Sequence, residues 1–327
     1  MMFWSALFLC TVAAVAMPAM PAFAHKPKRN KATLPGAIVI MTLPDWKIIR
    51  GDRNCGFNMT MDRLVKFWHR HNPYPVILMG DYKWASSDLN SIRNTWPSLD
   101  IMFLDITQSF RVSPPLLQLE DEASPLSDIA YKRMITFFFH GFTNVPELMI
   151  YKYLMRVDDD SCLDNRINYD IFREMQKRRS VYAYQALITD SPDVTAGLYE
   201  FIDEYAEKFN VTFANQNMHD LRKSNNNRAF MFSNNLEVID TVRYRQPSVM
   251  HFINYVVSSN MIFHRRWGDA PLRYALAELF YGPNEVLHFC EFTYFHSSWG
   301  PHYGCDYRSH FNAVLRSARD EIERFPP

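Results

Sequence analysis

Three adjacent carboxylates, Asp158, Asp159 and Asp160, end an apolar and aromatic run in the middle of the chain. Three like charges in a row repel one another, and at the mouth of a buried strand they are costly unless a cation joins them. Mg²⁺ and Mn²⁺ take oxygen ligands, often one or two carboxylates together with substrate phosphates. The cluster therefore predicts a metal site that holds a nucleotide diphosphate. A solvated turn after a strand is the alternative, because aspartate is also a common turn residue.

Three residues in the second half of the chain are further candidates for chemistry. Glu237 lies between apolar neighbours, which fits a positioned acid but also a helix-start glutamate beside an asparagine cap. Asp269 is either a site residue or a helix N-cap with Pro271 in the first turn. His296 is either an ordinary histidine or the imidazole that completes a Mn²⁺ site beside carboxylates.

The elements that must position these residues alternate along the chain. Apolar runs with the composition of buried strands are separated by helical patterns such as residues 60–71. This alternation predicts a mostly parallel sheet of the nucleotide-binding type, which binds ligands at the carboxyl ends of its strands. The predicted strands are residues 37–42, 75–79, 101–104, 148–155, 181–188 and 288–296.

Two polar segments are predicted to be loops. Residues 112–128 are proline-rich and are expected on the surface, and residues 214–228 are asparagine-rich and are expected near a substrate entrance.

Composition excludes some partners. The chain has 327 residues, 48% of them hydrophobic, which is enough for one large core or two joined ones. Its 35 basic and 35 acidic residues give a formal net charge of zero. We therefore expect no nucleic acid and no anionic membrane surface as a partner.

The amino-terminal segment predicts entry into the secretory pathway. Residues 1–24 are uncharged, hydrophobic and end in Ala22-Phe23-Ala24, which a signal peptidase could cut. The segment is also long enough to span a bilayer, although the basic run after it does not favour a type II anchor. A cleaved signal peptide and an uncleaved anchor both stay open. We expect a short stem over residues 25–35 and one folded domain over residues 36–327.

Sequons and cysteines fit that compartment. Asn58 and Asn210 begin glycosylation sequons. An even number of cysteines after the leader is compatible with two disulfides in an oxidising lumen, but sequence does not give the pairing. These cysteines are Cys55, Cys162, Cys290 and Cys305.

Several stretches together resemble the fungal-type α-1,2-mannosyltransferases of the Golgi, glycosyltransferase family 15. The most specific is Arg266–Pro271, RWGDAP, which is similar to the family's Tyr-Glu-Arg-Trp-Gly-Asp-Ala-Pro. Tyr153–Val157 resembles the segment before the family's Glu-Pro-Asp metal motif, and Tyr131–Met134 resembles its Tyr-Arg-His-Met. Asn235–Val238 and His288–His296 are similar to two later motifs, in the same order. The resemblance covers roughly residues 36–305 and is weak before residue 130.

The resemblance implies a GT-A catalytic domain, an α/β fold with a single Rossmann-like mixed sheet flanked by helices. It also implies a GDP-mannose donor, a mannose-containing acceptor and a divalent cation, Mn²⁺, which neutralises the departing diphosphate as a Lewis acid. Asp158, Asp160 and His296 would be the metal ligands, and Arg156, Asp158, Asp160 and Trp267 would bind the donor.

Catalytic roles carried over from the resemblance fall on three residues. Glu237 would lie near the anomeric carbon, as a nucleophile or as a stabiliser of an oxocarbenium-like transition state. Asp269 and Tyr131 would line the donor or acceptor pocket. The implied reaction transfers mannose to a 2-hydroxyl with retention of the α configuration, in the Golgi lumen or membrane, or after secretion if the leader is cleaved.

Departures from the family pattern keep other functions open. Asp158-Asp159-Asp160 replaces Glu-Pro-Asp and looks like the DxD element of other GT-A enzymes. Arg265 replaces the glutamate before RWGDAP, and Ser297–Gly300 replaces a proline-rich step. A GT-A transferase with another nucleotide sugar, such as a UDP-hexose, and an inactive lumenal protein that binds a sugar nucleotide are therefore the alternatives.

Overall fold

A seven-stranded mixed sheet forms the centre of the protein. The structure is a computed structural model that describes residues 34–42, 55–110, 129–224 and 229–296. The strands of this sheet, in chain order, are β1 (Leu34–Met41), β2 (Val76–Gly80), β3 (Ile101–Asp105), β4 (Tyr151–Val157), β6 (Tyr182–Tyr184), β9 (Leu236–Asp240) and β10 (Val286–His288).

The strands lie side by side in the order β10-β6-β9-β4-β1-β2-β3, and the sheet is parallel except for one inserted strand. β4, β1, β2 and β3 are neighbours in parallel pairing, and β10 is parallel to β6. β9 runs antiparallel between β4 and β6. The remaining six strands all run in one direction and end at the same edge of the sheet. The predicted mixed sheet is therefore present, and the acidic stretch follows β4 at this edge.

Two short antiparallel pairs lie outside the main sheet. β5 (Ser161–Leu163) pairs with β11 (Tyr294–His296), with Ser161 opposite His296. β7 (Leu187–Thr189) pairs with β8 (Phe230–Phe232). The runs 181–188 and 288–296, which we predicted as single strands, are each divided between two sheets. Alternation in sequence does not show where a chain bends from one sheet to another.

Helices of the described residues cover both faces of the sheet. They are α1 (Phe57–Phe67), α2 (Ser86–Thr95), α3 (Ile129–Phe139), α4 (Ile171–Arg178), α5 (Pro192–Thr195), α6 (Leu198–Lys208), α7 (Gln216–Lys223), α8 (Thr241–Tyr244), α9 (Pro247–Ser258), α10 (Met261–Arg265) and α11 (Asp269–Phe280). Short 3₁₀ turns follow α1 and α3 at His69–His71 and Gly141–Asn144.

Alternate residues of the buried strands face two separate apolar clusters, as the two-residue period of a strand requires. Val39 of β1 belongs to the cluster packed by α3, α6, α9 and α11, whereas Ile38 and Ile40 belong to the cluster packed by α1, α2 and α4. The second cluster fits tightly at Gly36, where a Cβ atom would lie 2.5 Å from the ring of Phe172. Burial of both faces explains why these strands read as continuous apolar runs.

Several boundaries differ from the sequence predictions; β4, for example, spans Tyr151–Val157 where residues 148–155 were predicted. β1 begins at Leu34, so the last two residues assigned to the stem belong to the sheet, where Leu34 is opposite Tyr151. Residues 216–223 form α7 instead of a loop. Asn215 caps this helix by accepting a hydrogen bond from the backbone N–H of Met218, and a buried ion pair of Arg222 fixes it. Loop composition does not reveal such a long-range partner.

Some predictions lie outside the described residues. These are the leader, the stem before residue 34, the surface loop over residues 112–128, the segment 297–300 and Cys305. Within the described ranges, no helix has the length and apolar character that a membrane span needs.

A disulfide joins Cys55, just before α1, to Cys162 in β5. Cys290 is disulfide-bonded as well. The first bond attaches α1 to the strand that directly follows the three aspartates, so it supports the geometry of the candidate site.

Candidate active site

A cavity of about 340 Å³ opens where β1, β2 and β4 end. This is the edge at which open α/β sheets bind ligands. Four predicted site residues line the cavity together with Asp159: Tyr131 of α3, Arg156, Asp158 and Asp160. The lining residues are Met41, Thr42, Asp81, Phe110, Ala130, Tyr131, Met134, Phe138, Arg156, Asp158, Asp159 and Asp160.

Arg156, in β4, connects the carboxylates of the site. Its Nε donates to Asp158 Oδ1 over 2.7 Å, and its Nη1 donates to Asp269 Oδ2 over 2.6 Å. Glu237 Oε1 lies 4.0 Å from the same Nη1, and the ring of Phe138 stacks 3.7 Å from the guanidinium carbon. Burial alone would lower the pKa of Arg156, but the three carboxylates outweigh it and hold that pKa above its ordinary value. The guanidinium therefore stays charged and fixed.

Glu237 lies behind Arg156 and is fully buried in β9. Its Oε2 accepts hydrogen bonds from the Tyr182 hydroxyl over 2.8 Å and from Arg273 Nε over 3.2 Å. Burial raises the pKa of Glu237, although Arg273 and Arg156 oppose the shift. Glu237 borders a core void of about 10 Å³ and is absent from the residues that line the large cavity. The helix-start explanation of Glu237 is wrong, because Glu237 lies inside β9.

Asp269 is the first residue of α11, and Gly268 is the N-cap. The N-cap explanation of Asp269 is therefore wrong. Its carboxylate accepts from Arg156 and, over 2.7 Å, from the side-chain amide of Asn234. Asp269 is 4% exposed and is not among the described residues that line the cavity, so its contact with the cavity wall is the hydrogen bond from Arg156.

Of the three residues predicted as metal ligands, Asp160 and His296 form a pair and Asp158 lies close by. His296 Nε2 lies 2.8 Å from Asp160 Oδ1, across the ribbon made by β5 and β11. Burial lowers the pKa of His296, but the hydrogen bond to Asp160 and the charge of Asp158 raise it overall. Both oxygens of Asp158 already accept hydrogen bonds, from Arg156 and from Asn235.

The donor set fits a hard divalent cation that takes few protein ligands. Among the described residues, no group of three or more histidine, cysteine or acidic side chains has metal-binding geometry. Mg²⁺ and Mn²⁺ sites that also bind phosphates need only one or two carboxylates. Asp160 and His296 supply a carboxylate and an imidazole side by side, and Asp158 adds negative charge next to them.

Tyr131 lies at the mouth of the cavity and contacts Arg266. The Arg266 guanidinium stacks 4.9 Å from the Tyr131 ring, and its Nη2 donates to the hydroxyl over 3.2 Å. Arg266 has φ 63°, an uncommon conformation for a residue other than glycine, and such residues concentrate at functional sites. Asp190 lies 3.9 Å from Arg266 Nη1 and completes this charged rim.

Trp267 does not line the cavity. Its ring is fully buried beside Phe201, and its Nε1 donates to the backbone oxygen of Ala196 over 3.0 Å. We predicted that Trp267 contacts the donor, but the structure shows a buried packing residue. Its contacts hold the turn between Arg266 and Asp269.

Sequence reasoning missed three residues of this neighbourhood. Asp81 is separated from the predicted strand 75–79 by Gly80 alone, so the sequence pattern already placed it near the binding edge of the sheet. Arg273 lies one helical turn after Asp269, the spacing that places two side chains on one helix face, but nothing in the sequence identifies Glu237 as its partner. No sequence pattern identified Asp190 as a residue of the site.

Comparison with solved structures identifies the fold. The mannosyltransferase Ktr4p from S. cerevisiae, solved in complex with GDP, superposes with a TM-score of 0.68 at 18% identity, covering 81% of this chain and 71% of that one. Core-mannan synthase A from Aspergillus fumigatus, solved in its Mn/GDP form, gives a TM-score of 0.65 at 20% identity, covering 82% and 76%. The fold is of the GT-A glycosyltransferase type, as predicted.

Comparison with sequence families identifies the lineage. The family model described as glycolipid 2-alpha-mannosyltransferase matches residues 64–320, and the chain belongs to this family. The glycolipid 2-alpha-mannosyltransferase of Saccharomyces cerevisiae is 24% identical over 237 residues, 68% of this chain and 53% of that protein. The O-glycoside alpha-1,2-mannosyltransferase homolog 2 of Schizosaccharomyces pombe is 27% identical over 171 residues, 51% and 46%. The chain spans about half the length of these curated relatives.

Proposed function

We propose that this protein is a metal-dependent mannosyltransferase that uses GDP-mannose and forms an α-1,2 linkage to an acceptor mannose with retention of configuration. The observation that carries the proposal is the cavity at the carboxyl ends of β1, β2 and β4, with three aspartates in its wall and the Asp160–His296 pair at its edge. Family membership and the GDP and Mn/GDP forms of two proteins of similar fold support the donor and the cation.

The order of the strands supports one orientation of the nucleotide. The diphosphate would lie at the end of β4, where the acidic residues are, and the base at the end of β2, beside Asp81. β1 lies between these strands, so the two ends are separated by two strand spacings, roughly 10 Å. A ribose between the base and the phosphates suits this distance.

Asp81 supports guanine as the base. Its side chain is exposed into the cavity, and no described residue holds its carboxylate by a hydrogen bond or ion pair. Guanine presents two adjacent N–H donors at N1 and N2, whereas uracil presents one, and a carboxylate accepts two donors side by side. The ring of Tyr82 folds back over Gly80, where a Cβ atom would clash, and its hydroxyl hydrogen-bonds Thr42 over 2.8 Å. This packing fixes the backbone that carries Asp81.

Asp160 and His296 would hold the cation, with Asp158 adjacent. When bound, the cation would neutralise charge on the departing diphosphate. In the transfer, the bond between the anomeric carbon and the diphosphate oxygen breaks, and a bond from that carbon to the acceptor hydroxyl oxygen forms. GDP leaves with the bonding electrons, and the acceptor hydroxyl gives its proton to the departing diphosphate oxygen.

The residues around Arg156 would stabilise the charge that develops in this step. Positive charge grows on the sugar ring, and the carboxylates of Asp158, Asp269 and Glu237 give the neighbourhood negative potential. Arg156 holds two of them in fixed positions, so little reorganisation is needed during the reaction. Tyr131 and Arg266 would meet the acceptor at the mouth of the cavity.

The compartment is part of the proposal. The Cys55–Cys162 disulfide fits an oxidising lumen, and the mannosyltransferases that the sequence resembles are Golgi enzymes. We propose that the protein acts in the Golgi or later in secretion, on a mannose-containing glycan of a glycoprotein or glycolipid.

The direct test is donor turnover by the purified 327-residue chain. GDP-mannose, UDP-glucose, UDP-galactose and UDP-N-acetylglucosamine would be supplied in turn with methyl α-mannoside, with Mn²⁺ or EDTA. We expect transfer only from GDP-mannose, loss of transfer in EDTA and recovery when Mn²⁺ is restored. Transfer from a UDP-sugar would overturn the donor, and nucleotide binding without turnover of any donor would favour an inactive binding protein.

A further inference from the structure

A second cavity of about 310 Å³ lies apart from the one that holds the aspartates. We call it the distal cavity. One wall is the loop from Arg166 to Tyr169, and the second is the exposed side of α4 with Glu174 and Arg178. The third wall is the end of β10 with the segment that follows it. β10 is the outermost strand on its side of the main sheet, so the distal cavity lies beside that strand.

The lining of the distal cavity suits a neutral, hydroxyl-rich ligand. Arg166 and Arg178 balance Glu174 and Glu291, so the wall attracts neither a phosphate nor a metal ion as a charge cluster would. Tyr169 adds a partly exposed aromatic ring among these planar hydrogen-bonding groups. Aromatic faces and polar groups that both donate and accept match a sugar, whose C–H faces are apolar and whose hydroxyls are polar. The volume of the distal cavity lies at the small end of the range for ligand pockets, which is about 300–1,000 Å³.

The loop wall of the distal cavity is fixed before any ligand binds. The backbone N–H of Ile167 donates to the oxygen of Phe67 over 3.0 Å, and Trp68 Nε1 donates to the oxygen of Tyr169 over 3.1 Å. Arg63 of α1 forms a salt bridge of 3.0 Å with Asp164. A site whose wall is already ordered loses less conformational entropy on binding.

The aromatic side chain is held in place as well. The Tyr169 hydroxyl donates to Glu291 Oε2 over 3.2 Å, and its ring lies 6.0 Å from that of Phe289. Glu291 Oε2 also accepts the backbone N–H of Cys290, which is disulfide-bonded. The ring is therefore presented to the cavity in one orientation.

The distal cavity is connected to the first site by the β5–β11 ribbon. His296 stands at one end of β11, and Phe292, in the wall of the distal cavity, is four residues away, roughly 13 Å of extended chain. Resting on the proposed function, we propose that the distal cavity binds an inner sugar unit of the acceptor glycan. The terminal mannose of the same glycan would then reach the first cavity.

The test compares acceptors of two lengths. Transfer to methyl α-mannoside and to an α-linked mannotrioside would be measured for the wild-type chain and for Tyr169→Leu. We expect the substitution to raise KM for the trisaccharide about tenfold, as loss of one aromatic contact would, and to leave kcat and KM for the monosaccharide unchanged. A matched control is Phe209→Ala, which removes an exposed aromatic side chain that packs on the other apolar cluster through Tyr205. It should change neither KM.

A second variant and a binding measurement separate the possible failures. Arg178→Gln replaces an exposed charged side chain of the distal cavity, and it should also raise KM for the trisaccharide. It provides the test if Tyr169→Leu does not fold. Saturation-transfer NMR with the trisaccharide, without donor, reports binding without turnover. Equal KM values for both acceptors in an active wild-type enzyme would overturn the inference and leave the proposed function standing. Trisaccharide binding that depends on Tyr169, in a chain that transfers nothing, would support the inference and overturn the proposed function.

Discussion

At the scale of single residues, the site is a set of carboxylates that share guanidinium groups. Arg156 binds Asp158 and Asp269, and Arg273 binds Glu237 with both Nε and Nη2. Such buried charges are costly to expose singly, so removing one partner costs more than the pair contributes. The arrangement fixes negative potential close to the cavity while keeping Glu237 out of solvent.

Glu237→Gln tests whether this buried charge takes part in turnover. The amide keeps the shape of the side chain but removes its charge, so we expect transfer to fall about 100-fold or more and GDP affinity to stay within about twofold. Initial rates and GDP titration would be measured on protein whose folding is checked by thermal unfolding. Glu278→Gln is the matched control, because Glu278 is equally buried and equally bound to an arginine, Arg222, in another part of the fold.

Parallel behaviour of the two variants would contradict a role in turnover. If Glu237→Gln and Glu278→Gln both lower stability and leave the rate per folded molecule unchanged, Glu237 is a structural acid.

Asp81→Asn tests the proposed recognition of guanine. The amide would place an N–H group against a guanine N–H donor, so we expect GDP affinity to fall at least about 100-fold, or about 3 kcal/mol. Xanthosine diphosphate carries a carbonyl at C2 and should bind the variant more tightly than the wild type. Calorimetric titration with both nucleotides in Mn²⁺ measures this exchange.

Asp105→Asn is the control for that experiment. Asp105 ends the neighbouring strand β3, and its carboxylate binds Thr107 outside the cavity. The nucleotide preference of this variant should equal that of the wild type. Unchanged affinities in Asp81→Asn would show that the base does not contact this carboxylate.

At the scale of elements, α7 is attached to α11 by a buried ion pair. Arg222 Nε donates to Glu278 Oε1 over 2.7 Å, His219 lies 2.8 Å from the same oxygen, and Arg222 Nη2 reaches Asp203 of α6. The segment was predicted as a loop because its composition is polar. Its polarity is instead explained by one buried arginine and a solvated outer face.

Arg222→Met tests this attachment. We expect unfolding free energy to fall by about 3–5 kcal/mol, because the substitution leaves Glu278 buried without its main partner. Arg222→Met combined with Glu278→Leu should recover most of the loss, since a buried ion pair and well-packed apolar groups are close in stability. Chemical denaturation monitored by tryptophan fluorescence measures both.

Lys223→Met is the matched control at the next position. Lys223 binds Asp203 over 2.5 Å but its side chain is 53% exposed, so its loss should cost at most about 1 kcal/mol. Equal losses for Arg222→Met and Lys223→Met would contradict a special role for the buried pair.

The sequence predicted local elements well and long-range partners poorly. Strands buried on both faces, such as β2, are continuous apolar runs, and the acidic stretch after β4 follows from the rule for sheet edges. The contact of Arg156 with Asp269 joins residues 113 positions apart, and no local pattern encodes it. Bends between sheets at residues 184–187 and 288–294 were missed for the same reason, since pairing partners decide them.

At the scale of the whole molecule, two cavities lie at different places around one sheet. The first lies over the parallel strands β1, β2 and β4, and the distal cavity lies by the opposite edge strand, β10. A single glycan that reaches both cavities would be bound at two sites. Contacts in the distal cavity would then add affinity without altering the reacting centre. Acceptor choice and chemistry could therefore change independently.

The position of β4 in the sheet has a consequence for biosynthesis. β4 pairs on one side with β1, which leaves the ribosome earlier, and on the other with β9, which ends only at residue 240. Until that residue has emerged, the strand that carries the aspartates keeps an open apolar edge of the kind that associates with other chains. A stalled or shortened nascent chain would thus be a target for chaperones and not a partial enzyme.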